Sequence, residues 1–293
     1  MPPRITPLTD PESTASSRRL AWLASDTEGV PVGSAFLRLF TREGLDHLAE
    51  LEIAVHPAER RKGVGGALLD ATAAAARREG RRSLVSRATV GTPGDGFLAA
   101  RGFRRALSLT YARLALTGLD LSAVTRITEH PHQGYALTHW DGVVPTELAQ
   151  TYADSRRAMD DMPMEDSDHG IDVWDVDRVV AVAEVVLKRG DALHTVAVVD
   201  RSDGSIAGFS ELVVPGDGRG DAQHYGTGVL PEHRGHGLGL WMKAESIRLA
   251  RLRYPALEGL LTDTAESNAP MIAINNTLGY RPTHREVEYR MDL

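Results

Sequence analysis

Apolar residues along this chain are spaced for two kinds of element. In the second half, alternation predicts strands over 193–200 and 206–214, joined at the Asp203–Gly204 turn, and a third over 223–230. From Gly237 onward, Leu238, Trp241, Met242, Ala244, Ile247 and Leu249 recur at helical spacing, a run that ends near Pro255. A strand over 259–264, a short helix over 269–278 and a closing strand over 286–291 follow. Ahead of these, 146–158 and 175–188 read as helices. Pro145, Asp172 and Asp175 stand near their starts, where a helix dipole favours negative charge. The first half repeats the core of this order, with strands over 19–25, 33–40 and 47–55, a helix over 64–79, a strand over 83–88, a helix over 97–101 and a strand over 105–116.

The order recurs because the chain is duplicated. Val55, Pro57, Arg60, Gly63 and Gly65 are answered by Val229, Pro231, Arg234, Gly237 and Gly239, every pair 174 residues apart. Downstream, Gly102 and Phe103 answer Gly279 and Tyr280; the interval from the loop glycine is 39 residues in one copy and 42 in the other. Only 59 residues precede Arg60, so the first copy has no room for the two leading helices. The expectation is a trimmed domain over 1–120 and a complete one over 121–293.

A strand ending in Val-x-Pro, then Arg-x-x-Gly-x-Gly opening a helix, is a geometry that cradles an anion. The glycines let backbone N–H groups approach a phosphate, and the helix N-terminus adds partial positive charge. A pyrophosphate fits such a row of donors. The Lys-Ser/Thr of a nucleotide-triphosphate loop is missing, as is the Gly-x-Gly-x-x-Gly spacing of dinucleotide binding. One such loop also reads as a plain tight turn; its repetition in the same context favours the phosphate.

On these residues the chain resembles the GNAT superfamily of N-acyltransferases. Both loops are similar to that family's coenzyme A pyrophosphate signature, and 266–280, with Asn268, is similar to its following motif, which ends in Gly-aromatic. The resemblance covers nearly the whole chain, twice, as in a tandem member. It implies an α/β (α+β) fold of two domains, each a mixed, mostly antiparallel sheet flanked by helices, with two strands splayed around an acyl thioester. It implies acetyl-CoA as co-substrate and no metal. By position, Val229 would meet the pantetheine arm through its backbone. Arg234, Gly235, His236, Gly237, Leu238 and Gly239 would surround the pyrophosphate, and Asn268 would contact the cofactor further along. The matching set in the first copy is Val55, Arg60, Arg61, Lys62, Gly63, Val64 and Gly65. His236 reads equally as a solvent-facing loop residue.

Acyl transfer to an amine needs a neutral nucleophile, a polarised thioester carbonyl and a departing thiolate. Backbone N–H groups of the splayed strand can meet the oxyanion. A base is needed because alkyl amines are protonated near neutral pH. His224 and Glu211 are the titratable candidates before the second loop; His224 also reads as a structural strand residue and Glu211 as a solvent-side one. Glu50 and Glu52 occupy matching strand positions in the first copy, where a solvated edge explains them. The resemblance implies a tyrosine acid four residues before the Gly of Gly-aromatic. That position is Asn275 in the second copy and Leu98 in the first. Leucine has no proton to give, and asparagine can hydrogen-bond without being an acid. Tyr225, Tyr254 and Tyr289 are the substitutes at hand.

Composition narrows the partners. The chain holds 33 Lys and Arg against 40 Asp and Glu, a net charge of −7, which opposes sequence-independent nucleic-acid binding. The charge is uneven, with 17 basic and 12 acidic residues over 1–118 but 16 and 28 over 119–293. The absence of cysteine excludes disulfides, thiolate metal sites and a cysteine nucleophile. His130, His132, His233 and His236 are too scattered for a metal site, and the first two read as loop histidines in a linker. No apolar run approaches the roughly 18–20 residues of a membrane span, and the N-terminal segment has no apolar signal core, so a cytoplasmic protein is expected.

Asp154, Asp160, Asp161, Glu165, Asp166, Asp168, Asp172, Asp175 and Asp177 face only Arg156 and Arg157 in one stretch. In the family arrangement this segment borders the acceptor. Its carboxylates would either concentrate a cationic amine or simply solvate a loop and cap helices. The leading expectation is an acetyl-CoA-dependent N-acetyltransferase acting on the primary amine of a small acceptor, cationic if the carboxylates steer it. The alternatives are a non-catalytic acyl-CoA-binding or regulatory protein, and a duplicated structural protein without a ligand.

Overall fold

In a computed structural model the described residues are 2–9, 17–41, 44–163, 165–167 and 173–293. The elements of the first half are β1 (Arg4–Leu8), β2 (Ser17–Ser25), β3 (Pro31–Phe40), β4 (Leu48–Val55), α1 (Val64–Arg78), β5 (Ser83–Thr89), α2 (Pro93–Ala100) and β6 (Arg104–Ala115). Then come α3 (Leu121–Glu129), β7 (Tyr135–Asp141), α4 (Thr146–Ser155), α5 (Val176–Lys188), β8 (Ala192–Asp200) and β9 (Ile206–Val214). The last are β10 (Gly220–Val229), α6 (Leu238–Arg253), β11 (Leu257–Ala265), α7 (Ala269–Leu278) and β12 (Arg281–Asp292). Among the described residues no helix is long and apolar enough to cross a membrane.

Two compact units interlace along the chain. Among the described residues, one takes those within 1–108, 164–171 and 286–293, the other those within 109–163 and 172–285. The repeat alone suggests one division at 120/121; the packing instead exchanges the last strand of each copy.

In the first unit β1 to β4 pair antiparallel in sequence order, and β5 joins β4 in parallel over Leu48–Glu50. Residues 286–292 of β12 complete it, antiparallel to β5 from Glu286 opposite Thr89 to Asp292 opposite Ser83. Val287 and Tyr289 thereby enter a core built on Leu37, Leu39, Leu51, Leu68 and Leu84. α1 lies close to β3 because Gly33 has no side chain: a Cβ there would stand 3.2 Å from Val64 Cγ1 and 3.3 Å from Leu68 Cδ1 of α1.

In the second unit the strand order is residues 109–115 of β6, then β11, β10, β9, β8 and β7. Only the β10–β11 pair is parallel. Alternate residues of β8 and β9 face opposite sides of the sheet. On one side Val196, Val198 and Leu212 pack with Trp241, Met242, Ala244 and Ile247 of α6. On the other, Ala197 and Phe209 pack with Tyr152 and Ala153 of α4 and Val179 of α5.

Most of the strands and helices match the periodicity; β1, in the polar N-terminal segment, is not expected from it, and two other exceptions are informative. α3 and β7 occupy a stretch that reads as linker, because Val124 and Trp140 are their only fully buried side chains and leave no clear apolar period. α2 starts earlier than its apolar residues suggest, since Thr92 caps it and Pro93 stands in its first turn.

Candidate active site

β10 and β11 share a ladder only from Gly220 to Gln223. Beyond it β10 pairs with β9 alone, so the strands part and one backbone edge of β10 faces the gap. A register shift between His224 and Gly226 throws Tyr225 outward, 47% exposed, at a bulge. A cleft of about 530 Å³ lies at this parting. Thr227, Gly228 and Val229 of β10 line it, as do the loop glycines 235, 237 and 239 and, from α7, Met271 and Ile274 with the capping Asn268. Gly235 and Gly237 have φ of 84° and 74°, left-handed values that favour glycine. Gly237 precedes α6 without a side-chain cap, so the first N–H groups of that helix are left for a ligand.

The other loop residues divide their tasks. Arg234 Nε donates to the Val229 carbonyl at 2.9 Å, while its two terminal nitrogens grip Asp161 at 2.6 and 2.7 Å. The hydrogen bond from Arg234 holds the Asp161 carboxyl below its ordinary pKa. His236 is exposed, and its carbonyl accepts from His132 Nδ1 at 3.0 Å. His132 also stacks on Trp241 at 4.2 Å, so it braces the loop from behind and is no linker residue. Asn268 caps α7, its Oδ1 accepting from the Met271 N–H at 3.2 Å.

The two candidate bases stand on opposite faces of the sheet. His224 faces α6, and neither ring nitrogen has a hydrogen-bond partner of good geometry among the described residues. Burial, then the Lys243 charge, holds it neutral, its pKa well below the ordinary value. Glu211 faces α4 and is buried, which corrects the solvent-side reading. The Tyr152 hydroxyl donates to one of its oxygens and Arg156 to the other at 2.7 Å. The Arg156 guanidinium is itself sandwiched 4.1 Å from the Trp174 ring and 4.4 Å from Phe209.

Asn275 is buried, next in the chain to the cleft-lining Ile274. Its Nδ2 donates to Thr264 Oγ1 at 3.0 Å, and its Oδ1 accepts from Lys243 Nζ. Nothing in the apolar spacing of α6 marks Lys243 as interior; its one signal is a position one turn beyond Gly239. None of the three tyrosines lines the cleft. Tyr225 accepts from Arg189 at 2.8 Å, Tyr254 pairs with His194 at 2.7 Å, and Tyr289 donates to Asp95 in the first unit. Of the acidic stretch, Asp175 caps α5, Asp154 accepts from Gln150 and Asp161 holds Arg234. Asp168 and Asp172 lie outside the described residues.

Comparison with known proteins places this geometry. Residues 17–105 match an acetyltransferase (GNAT) domain model, and residues 151–280 match the acetyltransferase (GNAT) family model. A mycothiol acetyltransferase of Clavibacter michiganensis subsp. michiganensis is 30% identical over 90% of this chain and 78% of its own length. The chain is a tandem GNAT-family N-acetyltransferase. A mycothiol acetyltransferase of Thermobifida fusca is 28% identical over 92% of this chain and 81% of its own. A tandem GNAT protein from the clavulanic acid biosynthesis pathway shares the fold, with a TM-score of 0.74, 24% identity and coverage of 96% and 84%. A GCN5-related N-acetyltransferase from Sphaerobacter thermophilus follows at TM-score 0.66, 15% identity and coverage of 93% and 80%.

The first unit of this acetyltransferase repeats the frame of the site with different furniture. β4 and β5 part after Glu50, Gly63 has φ of 87°, and Arg60 Nε donates to the Val55 carbonyl at 3.2 Å. Yet the β3–β4 ladder runs from Gly33 to Leu39 without a bulge. Leu98, in the place of Asn275, is buried in the core, and Phe97 would stand 3.2 Å from a Cβ on Gly65. Lys62 pairs with Glu59 at 3.0 Å. Glu50 pairs with the exposed Arg38 at 3.0 Å and Glu52 is exposed, as a solvated edge requires.

Arg61 replaces the counterpart of Gly235 at φ of 66°. A left-handed arginine costs about 1–2 kcal/mol, of which glycine's extra freedom in the unfolded chain returns part. Arg61→Gly is therefore expected to raise stability by up to about 1 kcal/mol in urea unfolding. A fall in stability would show that the Arg61 side chain holds the loop.

Proposed function

We propose that the second unit moves the acetyl group of acetyl-CoA to the primary amine of a small, cationic acceptor, and that the first unit is a degenerate copy serving as scaffold. The observation that carries this reading is the parting of β10 and β11 beside a cleft whose end is the Gly235–Gly239 turn. The turn and the first N–H groups of α6 receive the pyrophosphate, with Val229 and Asn268 along the arm. The amine nitrogen attacks the thioester carbonyl; a C–N bond forms, the C–S bond breaks, and the free edge of β10 offers N–H groups to the oxyanion. Glu211, beside Gly226 at the bulge, is the acceptor-side carboxylate, and His224, sealed under α6, is given no contact with the amine.

The cationic acceptor is supported by the carboxylates around α4, of which Asp154 and Asp160 are exposed. The relatives' name makes mycothiol chemistry the comparison arm. Thiol release from acetyl-CoA with spermidine is expected to outrun that with glucosamine and to fall as salt rises. Equal, salt-insensitive rates would sink the steering argument. Tight acetyl-CoA binding with no thiol release to any amine would favour a non-catalytic binding protein, a reading that the missing tyrosines at Asn275 and Leu98 support.

A further inference from the structure

Lys243 is 1% exposed on α6, between Met242 and Ala244 of the core. An ammonium out of water is strongly unfavourable without a carboxylate partner. Its partners are neutral: Thr262 Oγ1 at 3.3 Å, Asn275 Oδ1, and the Tyr280 ring 4.7 Å from Nζ. Packing alone would place leucine or methionine here, and neither the core nor the transfer scheme above uses the charge.

Its neighbours lie just past the point where β10 and β11 part. Thr262, and Thr264 beyond Asn275, follow Leu261, the last residue of β11 laddered to β10. His224, on the same side, is the first residue of β10 past that ladder. Asn275 follows Ile274, which lines the cleft with Thr227 and Gly239. The cluster thus lies buried behind the lining of the cleft, on the α6–α7 side of the sheet, opposite Glu211.

We infer that Lys243 delivers the proton taken up by the thiolate leaving acetyl-CoA, with Asn275 holding its ammonium in place. This rests on the second unit being the catalytic one. As the C–S bond breaks, its electron pair goes to sulfur; an N–H bond of Lys243 gives up its proton, and S–H forms. The proton shed by the attacking amine restores the ammonium, so the sum is amine plus thioester to amide plus thiol. Burial brings Lys243 down to about 7. A thiol of about 8.5 is the weaker acid, so the transfer runs downhill from a donor half-charged at neutral pH. The groups facing it are His224 from β10, held neutral; Asp263 of β11, whose charge favours the ammonium; and Tyr280, kept protonated by burial. On α6 itself Glu245 is paired with Arg248.

The test is enzyme-dependent thiol release from acetyl-CoA to hydroxylamine, an amine unprotonated at neutral pH, with the enzyme-free rate subtracted at each pH, by the full chain and its Lys243→Met and Lys243→Gln variants. Wild-type kcat is expected to fall as pH rises through about 7, because the protonated form is the active one. Both variants should lose that limb and about 100-fold in kcat below it, with the KM for acetyl-CoA and its calorimetric Kd unchanged. A merely structural lysine would lower the unfolding midpoint and leave the limb in place. Persistence of the limb in either folded variant, or wild-type kcat in Lys243→Gln, overturns the inference. If the wild type binds acetyl-CoA yet releases no thiol to hydroxylamine, spermidine or glucosamine, the catalytic reading of the second unit fails, and this inference fails with it.

Discussion

Gly237→Glu is expected to weaken acetyl-CoA binding by at least about 100-fold, whereas Gly63→Glu leaves the calorimetric affinity within about twofold. Two effects add at residue 237. An L-residue at φ of 74° costs roughly 1–2 kcal/mol of strain. A carboxylate at the start of α6 would also face the pyrophosphate proposed to bind there, and like charges so placed cost several kcal/mol. About 2.7 kcal/mol is already a factor of 100. Gly237→Ala separates the terms: its Cβ would meet His132 at 3.3 Å, so it carries strain and a small adjustment but no charge. Its affinity should stay within about tenfold of wild type. Residue 63 has the same backbone with open space around it, so Gly63→Glu carries the same strain in a unit that holds Leu98 and Phe97 where the second has Asn275 and Ile274. Loss of binding in Gly63→Glu alone would move the cofactor site to the first unit.

Glu211→Ala is expected to destabilise the second unit by about 3–5 kcal/mol, read as a shifted urea midpoint by the fluorescence of Trp140 and Trp174. The cause is the guanidinium left behind. Arg156 is buried between Trp174 and Phe209, and Glu211 is its carboxylate partner. Removing one member of a buried pair costs far more than the pair contributes. Tyr152 would also lose the acceptor of its hydroxyl. Replacing both charges, as Glu211→Leu with Arg156→Met, should recover most of the loss, because neither charge is then stranded. An additive double variant would show that the pair is not coupled. Glu211→Gln keeps a partner for Tyr152 and is the variant on which loss of activity can be read apart from loss of fold.

Legibility differed between the frame and the chemistry of the site. The paired loops were readable because each demand is local: a proline, an arginine and two glycines within nine residues place a strand end, a turn and a helix start. Arg60 and Arg234 even make the same bond, to a carbonyl five residues back. Glu211 is legible as a titratable strand residue but its burial is not, since an alternating strand does not say which face is covered. His132 sits in a stretch with no clear period, and its partner His236 is 104 residues away. Lys243 was invisible because a lysine in a helix ordinarily points to water.

Alone, the order of residues determined the duplication, most of the strands and helices, and the glycine turns that open a helix at the end of a strand. These follow from spacing and from backbone conformations that few residue types accept. Tertiary structure decided which sheet each closing strand joins: 109–115 pairs with β11, and 286–292 with β5. Periodicity cannot choose between them, because both edges offer the same unpaired N–H and C=O groups. It also decided which charges are buried. Glu211 meets Arg156 across 55 residues and Lys243 meets Asn275 across 32, and desolvation acts only once such distant segments have closed over the group.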